Sequence, residues 1–421
     1  MFPSKRFGIF SQFFEHSDAW EAVFECISTS LATKHLYAAQ KNKKIAMFER
    51  KHGDGIWAFN YNFHHGRCFM PKFSKFFKGL GIIFLIILIL LICAVLWLTI
   101  REYRPEKEEA LKVPKNTRTL SLDDSLRIMT YNIGYAGLDK SEDFFMDGGS
   151  KVQPDKKEQV EVNLKGIEKV LTENPADVYF LQEVDKDSKR SFHIDETEYL
   201  KNALDMEGIF ACNFKCDFVP YPLPPIGKVN SGIFTMTDLQ VNSAARLALP
   251  ESFSWPVKTC NLKRCMQETR IPLEGTDVEL VLINFHLEAY DDGDGKIAQS
   301  KMLAEKLSKE YEAGNYVIAG GDFNQTFEGM DKYPITNTEN WVPGIISQDT
   351  LPEHFSFAVD DTYPTCRLLN APYTGSYETS QVYVIDGFIV SDNIKVSDIS
   401  VINTDFEYTD HQPVQMEISL K

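Results

Sequence analysis

The stretch "YVIAGGDFNQ", Tyr316 to Gln325, is an apolar run that ends on an acid and an amide. Side chains two apart on a strand point to the same face, so Asp322 and Asn324 are expected side by side at the strand's end. Gly320 and Gly321 leave room there for the close approach of another group. The stretch therefore predicts a buried strand with a polar pair at the rim of a sheet.

Further apolar runs of strand length follow Leu126 and alternate with helical patterns. The strand-like runs are "LRIMTYNIG", "ADVYFLQEVD", "VELVLINFHLEA", "VYVIDGFIV" and "VQMEISL". Apolar residues recur at helical spacing from Val160 to Leu171, and Lys296 to Ala313 has the pattern of another helix. Continuously apolar strands interleaved with helices predict sheets that are covered by helices on at least one face.

Residues 79–100, "GLGIIFLIILILLICAVLWLTI", carry no charge. About 20 apolar residues span the hydrocarbon core of a bilayer as a helix, so this stretch predicts a transmembrane helix. A cleaved secretory signal is less favoured, because its apolar region usually has about 7–15 residues. Lys72, Lys75 and Lys78 crowd the N-terminal flank, whereas arginines and glutamates mix on the other side. This asymmetry predicts a single-pass protein of the cell membrane, with its N-terminus inside and the following domain outside the cytoplasm.

The predicted membrane helix divides the chain. Residues 1–69 show no clean hydrophobic period, and we expect the native protein to start at Met70, with a small cytoplasmic segment as the alternative. Residues 70–78 form the basic cytoplasmic flank. Residues 101–120 are charged, contain two prolines and are predicted to be a stalk. Residues 121–421 are predicted to form one folded domain.

The folded domain is strongly acidic. Residues 1–112 contain 16 Lys and Arg against 10 Asp and Glu, so of the chain's 44 and 60, residues 113–421 hold 28 and 50. The resulting net charge of −22 repels polyanions, whereas proteins that bind nucleic acids usually carry a basic stripe. The charge therefore disfavours a nucleic-acid partner.

Five cysteines follow the membrane helix: Cys212, Cys216, Cys260, Cys265 and Cys366. The first four lie in "CNFKC" and "CNLKRC", whose spacings are loose for zinc. Arms of a metal site, disulfides between the two segments and free thiols are all compatible with this pattern.

Polar residues end or follow the predicted strands throughout the domain. They are Asn132, Glu183, His286, Asp322, Asn324, Asp386, Asp410 and His411. Each alone has an ordinary structural explanation, such as a turn cap, a solvated strand end or a hydrogen-bonded core histidine. Their repeated position relative to different strands indicates instead one shared site.

The motifs around these residues resemble the endonuclease/exonuclease/phosphatase superfamily, which includes pancreatic-type deoxyribonucleases, abasic-site endonucleases, neutral sphingomyelinases and inositol polyphosphate 5-phosphatases. The matching stretches are "MTYNIG", "FLQEVD", "NSGIFTM", "INFHLEA", "GGDFNQ", "VIDGFIVSD" and "TDHQPV", in the family's order across residues 126–421. The chain looks like a membrane-anchored, bacterial-type member. The resemblance implies an α/β (α+β) four-layer sandwich, with two mixed β-sheets packed face to face, helices on the outside and a site at one end of the sheets.

The resemblance also implies hydrolysis of a phosphate ester with a divalent metal. Glu183, Asn132 and Asp410 would hold Mg²⁺, or Mn²⁺ in its place, because hard cations prefer carboxylate and amide oxygens. His411 would act as general base or phosphate contact, and Asp386 would fix the tautomer and orientation of that histidine.

Three further positions take roles in the same implied reaction. Asp322 would position or deprotonate the attacking water, and Asn324 would donate its amide to the charge that develops on the phosphoryl group. His286 would contact the phosphate or help to protonate the leaving group. Deoxyribonucleases and sphingomyelinases have a histidine here, whereas the abasic-site branch typically lacks it, which shifts the prediction away from DNA repair.

Two segments are candidates for the rim of the site. "VPYPLPPIGKVNSGIFTM", Val219 to Met236, matches the family's substrate-facing segment and offers Lys228 and Asn230 for substrate binding, with a rigid connector as the alternative. The polar loop between residues 137 and 159, which contains Phe145, offers a second rim. The sequence shows no long basic insertion for a duplex and no obvious apolar hairpin for entering a membrane.

The most favoured function is a membrane-anchored, divalent-metal-dependent phosphodiesterase that hydrolyses a lipid head group or small phosphodiester by water attack outside the cytoplasm. An extracytoplasmic nuclease of the deoxyribonuclease type is the alternative, disfavoured by the acidic domain. A catalytically silent binding domain on the same fold is a third, weakened because competent residue types fill every expected catalytic position. The expected partners are the membrane and the phosphodiester substrate, and no protein partner is evident from the sequence.

Overall fold

The computed structural model describes residues 73–291 and 293–421, with side chains from Phe77 onward. The predictions for residues 1–69, and for a native start at Met70, lie outside these residues. The described α-helices are Phe73–Arg101 (α1), Lys157–Glu173 (α2), Glu196–Leu204 (α3) and Asp294–Glu312 (α4).

The strands occupy most of the chain after α1. In chain order they are Glu108–Ala110 (β1), Ser125–Asn132 (β2), Val178–Asp185 (β3), Gly208–Val219 (β4), Gly227–Thr237 (β5), Ser243–Ala248 (β6), Cys265–Pro272 (β7), Glu279–His286 (β8), Tyr316–Asp322 (β9), Gln325–Phe327 (β10), Gly344–Ile346 (β11), Phe355–Ala358 (β12), Cys366–Arg367 (β13), Val382–Tyr383 (β14), Asp386–Ser391 (β15), Ile394–Val401 (β16) and Val414–Leu420 (β17).

Helix α1 contains the predicted membrane span. The segment from Phe77 to Arg101 includes an 18-residue window with a mean hydropathy of 3.3, and none of that window is buried inside the structure. By length and composition this helix can cross a membrane. Arg101 is the first charged residue after Lys78, so the apolar stretch ends where the helix ends.

Two large sheets form the centre of the domain. The seven-stranded sheet has the order β1-β6-β7-β8-β9-β15-β12, and the six-stranded sheet has the order β16-β17-β2-β3-β5-β4. Strands β8 and β9 pair in parallel, as do β2 and β3, whereas their other neighbours are antiparallel. The prediction of two mixed sheets is confirmed.

The two sheets pack on one another, and helices cover their outer faces. One buried cluster combines Ile128 of the six-stranded sheet with Ile318 of the seven-stranded sheet. Leu164 of α2 and Leu200 of α3 pack on the outer face of the six-stranded sheet, and Leu303 of α4 packs on the other sheet. Burial of these apolar faces drives the assembly of the layers. The predicted four-layer sandwich is confirmed.

Residues 101–120 are not the free stalk that their charge and prolines predict. Strand β1 pairs with β6 at the edge of the seven-stranded sheet, and the N–H of Leu111 donates to the oxygen of Ala244 at 2.9 Å. Leu120 is buried in the core and forms a bridge with Leu273. Local composition could not reveal these contacts, because the partners lie far along the chain.

The five cysteines after α1 are free thiols, one of the alternatives compatible with the sequence. Burial raises the pKa of Cys216 to about 11 and that of Cys265 to about 12. Both thiols are therefore protonated near neutral pH, and protonated thiols are poor nucleophiles and poor metal ligands.

Candidate functional site

The polar residues predicted at strand ends lie together at one end of the two sheets. Asp322, the last residue of β9, is paired in register with His286 on β8 and with Asp386 on β15. Asn132 ends β2 of the facing sheet, and its amide reaches Asp322 between the sheets. The register of the strands therefore brings residues from distant parts of the chain to one place.

Asp322 is the centre of this cluster. Its Oδ2 accepts a 3.0 Å hydrogen bond from Nδ2 of Asn132 and lies 3.4 Å from Nε2 of His286 and 3.8 Å from Nε2 of His411. Its Oδ1 accepts a 2.8 Å hydrogen bond from the backbone N–H of Asn324. All five side chains are buried, so the cluster is fixed by its own contacts rather than by solvent.

His411 forms a buried pair with Asp386. Nδ1 of the histidine lies 2.9 Å from Oδ2 of the aspartate. Burial opposes a charge on the ring, but the negative groups around it, Asp386 first among them, together outweigh this effect and raise the pKa of His411 well above its ordinary value. The hydroxyl of Thr365 accepts the backbone N–H of Asp386 at 3.1 Å, which anchors the pair.

Negative charge is concentrated in this buried region. Asp322, Asp386 and His411 offer ligand atoms that lie within 4.8 Å of one another. Burial, with the charge of Asp386, raises the pKa of Asp322 to about 7. Burial also raises the pKa of Asp410, and the charge of Glu183 adds to that rise. Two carboxyl groups thus lack full compensation within the protein, as expected where a cation binds.

The backbone is irregular at Glu183, the predicted metal ligand. It has a φ of +53° and sits in a bulge of β3 between Leu181 and Val184. Nδ2 of Asn132 donates to Oε1 of Glu183 at 3.2 Å, whereas Oδ1 of Asn132 accepts the N–H of Gly134 at 3.0 Å. Positive φ is unusual for glutamate and is often retained at functional positions. Asn132 therefore orients Glu183 through its amide nitrogen.

Asn324 departs from the geometry predicted for it. Strand β9 ends at Asp322, and Asn324 lies in the left-handed region with a φ of +52°, so the expected alternation along an unbroken strand is wrong here. Its Nδ2 donates to the backbone oxygen of Leu287 at 2.9 Å. The glycine before Asp322 is required, because a Cβ on Gly321 would lie 1.9 Å from the oxygen of Phe285.

His286 is held in its neutral form. Burial, with the charges of Arg264 and His411, lowers the pKa of His286 well below its ordinary value. Its Nε2 faces Asp322. Nδ1 of His286 and Oδ1 of Asp386 have no hydrogen-bond partner among the residues that the structure describes. An unpartnered buried polar atom costs free energy, so both atoms would gain from a hydrogen-bond partner.

Lys228 and Asn230, the predicted substrate contacts, lie on β5 and are not joined to this cluster. Lys228 is exposed and pairs with Asp187. The backbone oxygen of Asn230 accepts the N–H of Lys186 at 2.8 Å. Oδ1 of Asn230 accepts from Sγ of Cys212 on β4 at 3.8 Å. The contacts of both residues therefore go to β4 and to the segment after β3 rather than to Asp322.

Residues outside the predicted set support the site. Arg190 is buried, donates to both oxygens of Asp185 at 3.1 and 3.0 Å, and places its guanidinium 3.7 Å from the centre of the Tyr135 ring. The hydroxyl of Tyr290 donates to Asp147 at 2.9 Å, and burial raises the pKa of Asp147 to about 7. The sequence does carry one sign of their importance, because Asp185 and Tyr135 stand next to two of the predicted strand ends.

No protein-family model matches the chain, and no curated protein matches it. Solved structures do match. An endonuclease/exonuclease/phosphatase from Beutenbergia cavernae DSM 12333 is 18% identical with a TM-score of 0.50, and the match covers 70% of this chain and 72% of that one. The similarity to this structure shows a shared fold.

Two further solved structures have lower TM-scores. An endonuclease/exonuclease/phosphatase from Bacteroides vulgatus is 15% identical with a TM-score of 0.47, over 71% of this chain and 100% of that one. TDP2 from Caenorhabditis elegans is 13% identical with a TM-score of 0.44, over 70% of this chain and 74% of that one.

Proposed function

We propose that this chain, which has the fold of the endonuclease/exonuclease/phosphatase superfamily, is a membrane-anchored phosphodiesterase that depends on a divalent metal. Its proposed substrate is a phosphodiester, in a lipid head group or a small molecule, hydrolysed by water outside the cytoplasm. The observation that carries the proposal is the buried cluster of Asp322, His411 and Asp386, which Asn132 joins to the second sheet. Buried charges are costly, and a set of them in one place is expected where chemistry requires it.

Glu183 and Asp410, with Asn132 beside them, are the residues proposed to hold Mg²⁺, or Mn²⁺ in its place. Carboxylate oxygens are the donors that a hard divalent cation prefers. The raised pKa of Asp410 supports this assignment, because a cation would offset the negative charge that burial disfavours. When bound, such an ion polarises the phosphoryl group and offsets charge on the leaving oxygen.

Asp322 is the group proposed to position the attacking water and accept its proton. Hydrogen bonds from Asn132 and from the backbone of Asn324 fix both carboxylate oxygens. The direction of the carboxylate is therefore set before a substrate binds, which lowers the entropic cost of reaching the reactive geometry. A pKa raised to about 7 suits proton transfer near neutral pH.

The two histidines take different proposed roles because their surroundings differ. His411, protonated beside Asp386, keeps Nε2–H for donation to a phosphoryl oxygen. His286 is neutral, which suits a second contact to the phosphate better than protonation of the leaving group. Asn324 remains a proposed donor, since one of its two amide hydrogens is free after the other binds Leu287.

The proposed location rests on α1 and its flanks. A mean hydropathy of 3.3 supports insertion in a bilayer, and Lys72, Lys75 and Lys78 favour an N-terminus inside. An epitope tag after Lys421 should be reached by antibody on intact cells. Labelling that requires permeabilised cells would contradict the proposed orientation.

The test of the activity uses the full chain in detergent with a soluble aryl phosphodiester and Mg²⁺ or Mn²⁺. We expect His411→Ala and Glu183→Gln to lower the rate by about 10²–10³-fold, the usual effect of removing one group that stabilises transition-state charge. Glu161→Gln, an exposed glutamate on α2, is the matched control and should retain the wild-type rate. Comparable rates in all four proteins would contradict the proposal.

A substrate panel then separates the remaining alternatives. Faster hydrolysis of sphingomyelin or phosphoinositides than of DNA supports the phosphodiesterase proposed here. A preference for single-stranded or duplex DNA would instead favour the nuclease. Binding without hydrolysis of any substrate would favour the silent binding domain.

A further inference from the structure

The end of α1 is fastened to the folded domain. Nε1 of Trp255 donates to Oγ1 of Thr99 at 3.1 Å, and Nε of Arg101 lies 2.7 Å from Oδ2 of Asp217. Leu98 packs on a buried cluster of the β4–β5 hairpin. These contacts link the last turn of the helix to two separate segments, so the domain sits directly at the end of the helix.

A buried ion pair continues this attachment. Nζ of Lys263 lies 2.9 Å from Oε1 of Glu102, and their side chains are 5% and 3% exposed. Glu102 also accepts Nε of Arg104 at 3.1 Å, and Arg104 donates to the oxygen of Thr99 at 2.9 Å. A paired charge in a buried setting fixes the direction of the chain where it leaves the helix.

Exposed apolar side chains lie on the two segments that hold this attachment. They belong to the β4–β5 hairpin and to the segment before β7, and we name them the juxtamembrane face: Phe218, Tyr221, Leu223, Trp255 and Val257. Leu223 is 89% exposed at the tip of the hairpin, and Trp255 is 56% exposed beside α1. The structure thus contains a hairpin with exposed apolar side chains, which was not obvious from the sequence. The proline-rich segment between residues 220 and 226 is itself the loop of an antiparallel hairpin.

We infer that the juxtamembrane face lies in the head-group region of the bilayer that α1 spans. Lipid is the expected cover of this face, because Trp255 is hydrogen-bonded to the last turn of the membrane helix. The face therefore begins where the helix leaves the bilayer. Trp and Tyr favour the membrane–water interface, where the ring meets apolar chains and its polar atom meets water. A patch of large apolar side chains beside a membrane helix is thus covered by lipid without any further partner.

This face adjoins the rim of the candidate site. The ring of Tyr221 lies 5.7 Å from that of Phe145, in an edge-to-face contact. Phe145 begins a short 3-10 turn that ends at Asp147, which accepts the hydroxyl of Tyr290. Oδ2 of Asp147 also accepts the N–H of Leu369 at 3.3 Å, and two residues earlier the N–H of Arg367 donates to the backbone oxygen of Asp410 at 3.0 Å. Phosphodiester head groups of that bilayer are therefore the substrate class within reach, an inference that rests on the proposed function.

Lipid contact can be mapped without any catalytic readout. The full chain is reconstituted in phosphatidylcholine vesicles that contain a photoreactive phosphatidylcholine, and cross-linked peptides are identified by mass spectrometry. We expect cross-links on α1 and on the peptides that contain Leu223 and Trp255. Ile345 is the matched control, because it is 69% exposed but shares a cleft with Leu351 and Pro352 near β12, the opposite edge of the seven-stranded sheet. Cross-links confined to α1, or equally frequent at Ile345, would overturn the inference.

A second experiment tests what the contact does. Leu223→Glu and Trp255→Glu should lower the ratio of the rate on a vesicle-borne phosphodiester to the rate on the soluble one by about 10-fold, the effect of losing one buried apolar side chain. Ile345→Glu should leave this ratio unchanged. An unchanged ratio in all three variants would overturn the substrate assignment. Failure of the wild-type chain to hydrolyse either substrate would defeat the proposed function, whereas the lipid map on the unmodified chain would still decide the docking surface.

Discussion

Two regions of the molecule depart from the usual distribution of side chains between interior and surface, each in its own way. They are the buried cluster around Asp322 and the juxtamembrane face. In the cluster, carboxylates and histidines are enclosed between two sheets with little access to water. On the face, large apolar side chains such as Leu223 and Trp255 point outward. Soluble proteins normally bury large apolar side chains and expose charged ones. Each region is therefore incomplete on its own, and each points to a different missing component.

The two regions differ in what would complete them. Around Asp322 the buried negative charge would be offset by a bound cation, since the charge of Asp386 adds to burial in raising the pKa of Asp322. The side chains that define the juxtamembrane face carry no charge, so the gain there comes from removal of apolar surface from water. A change at the first region should therefore affect chemistry, whereas a change at the second should affect attachment.

The largest expected effect comes from Asp322→Asn. We expect kcat to fall by about 10²–10⁴-fold, because the group proposed to accept the proton of water is lost. The thermal midpoint of unfolding should not fall, because the substitution removes one of two like charges buried together with Asp386. Kinetics and thermal melting of the full chain in detergent check both parts. Asp331→Asn, at an exposed position, is the control, and a rate within tenfold of wild type would contradict the role of Asp322.

A smaller effect is expected from Asp386→Asn. The hydrogen bond at 2.9 Å fixes the ring of His411, so its loss should lower kcat by about 10²-fold. KM should change little, because His411 remains able to contact the phosphate in part of its orientations. Steady-state kinetics on the soluble aryl phosphodiester check this outcome. An unchanged kcat would show that the His411–Asp386 pair is structural.

Addition of Mg²⁺ should stabilise the fold. At a concentration 100-fold above Kd, binding to the native state adds about 2.7 kcal/mol to the free energy of unfolding. We expect the thermal midpoint of the wild-type chain to rise with Mg²⁺ and that of Glu183→Gln to respond much less. Glu161→Gln should respond as the wild type does. Equal shifts of the thermal midpoint in all three proteins would show that Mg²⁺ binds at a site other than Glu183.

The smallest effect is expected in the second region, from Glu102→Gln. Lys263 would lose its partner at 2.9 Å but keep Glu251 at 3.2 Å, so we expect a loss of about 1–3 kcal/mol in the free energy of unfolding. Activity on a soluble phosphodiester should change little. Glu109→Gln, a half-exposed neighbour, is the control and should stay within about 0.5 kcal/mol of wild type. Equal stability of both variants would contradict a fixed attachment of α1.

Much of the buried cluster could be predicted from the sequence, because each member ends or follows an apolar strand. Asp322, His286 and Asp386 meet because strand register is set by the apolar pattern, which is visible in the sequence. The geometry predicted for Asn324 is wrong, since the chain turns after Asp322, whose Oδ1 accepts the N–H of Asn324 at 2.8 Å. Periodicity carries no information about such a contact.

The juxtamembrane region could not be predicted in the same way. Glu102 and its neighbours have the composition of a solvated stalk, and the buried partner Lys263 lies in a distant segment. Leu223 stands among prolines, a pattern compatible with a rim of the site or with a rigid connector, and neither alternative identifies a hairpin tip. Both features depend on long-range contacts, and local composition does not report these.

The central claim is that Glu183 and Asp410 hold a cation on which hydrolysis depends. The most direct measurement is the rate of aryl phosphodiester hydrolysis by the full chain as Mg²⁺ is removed with a chelator and then titrated back. We predict that the wild-type rate falls to background and recovers, and that Glu183→Gln needs at least about tenfold more Mg²⁺, a difference of about 1.4 kcal/mol. Hydrolysis that resists the chelator, or the same Mg²⁺ dependence in wild type and Glu183→Gln, would contradict the claim.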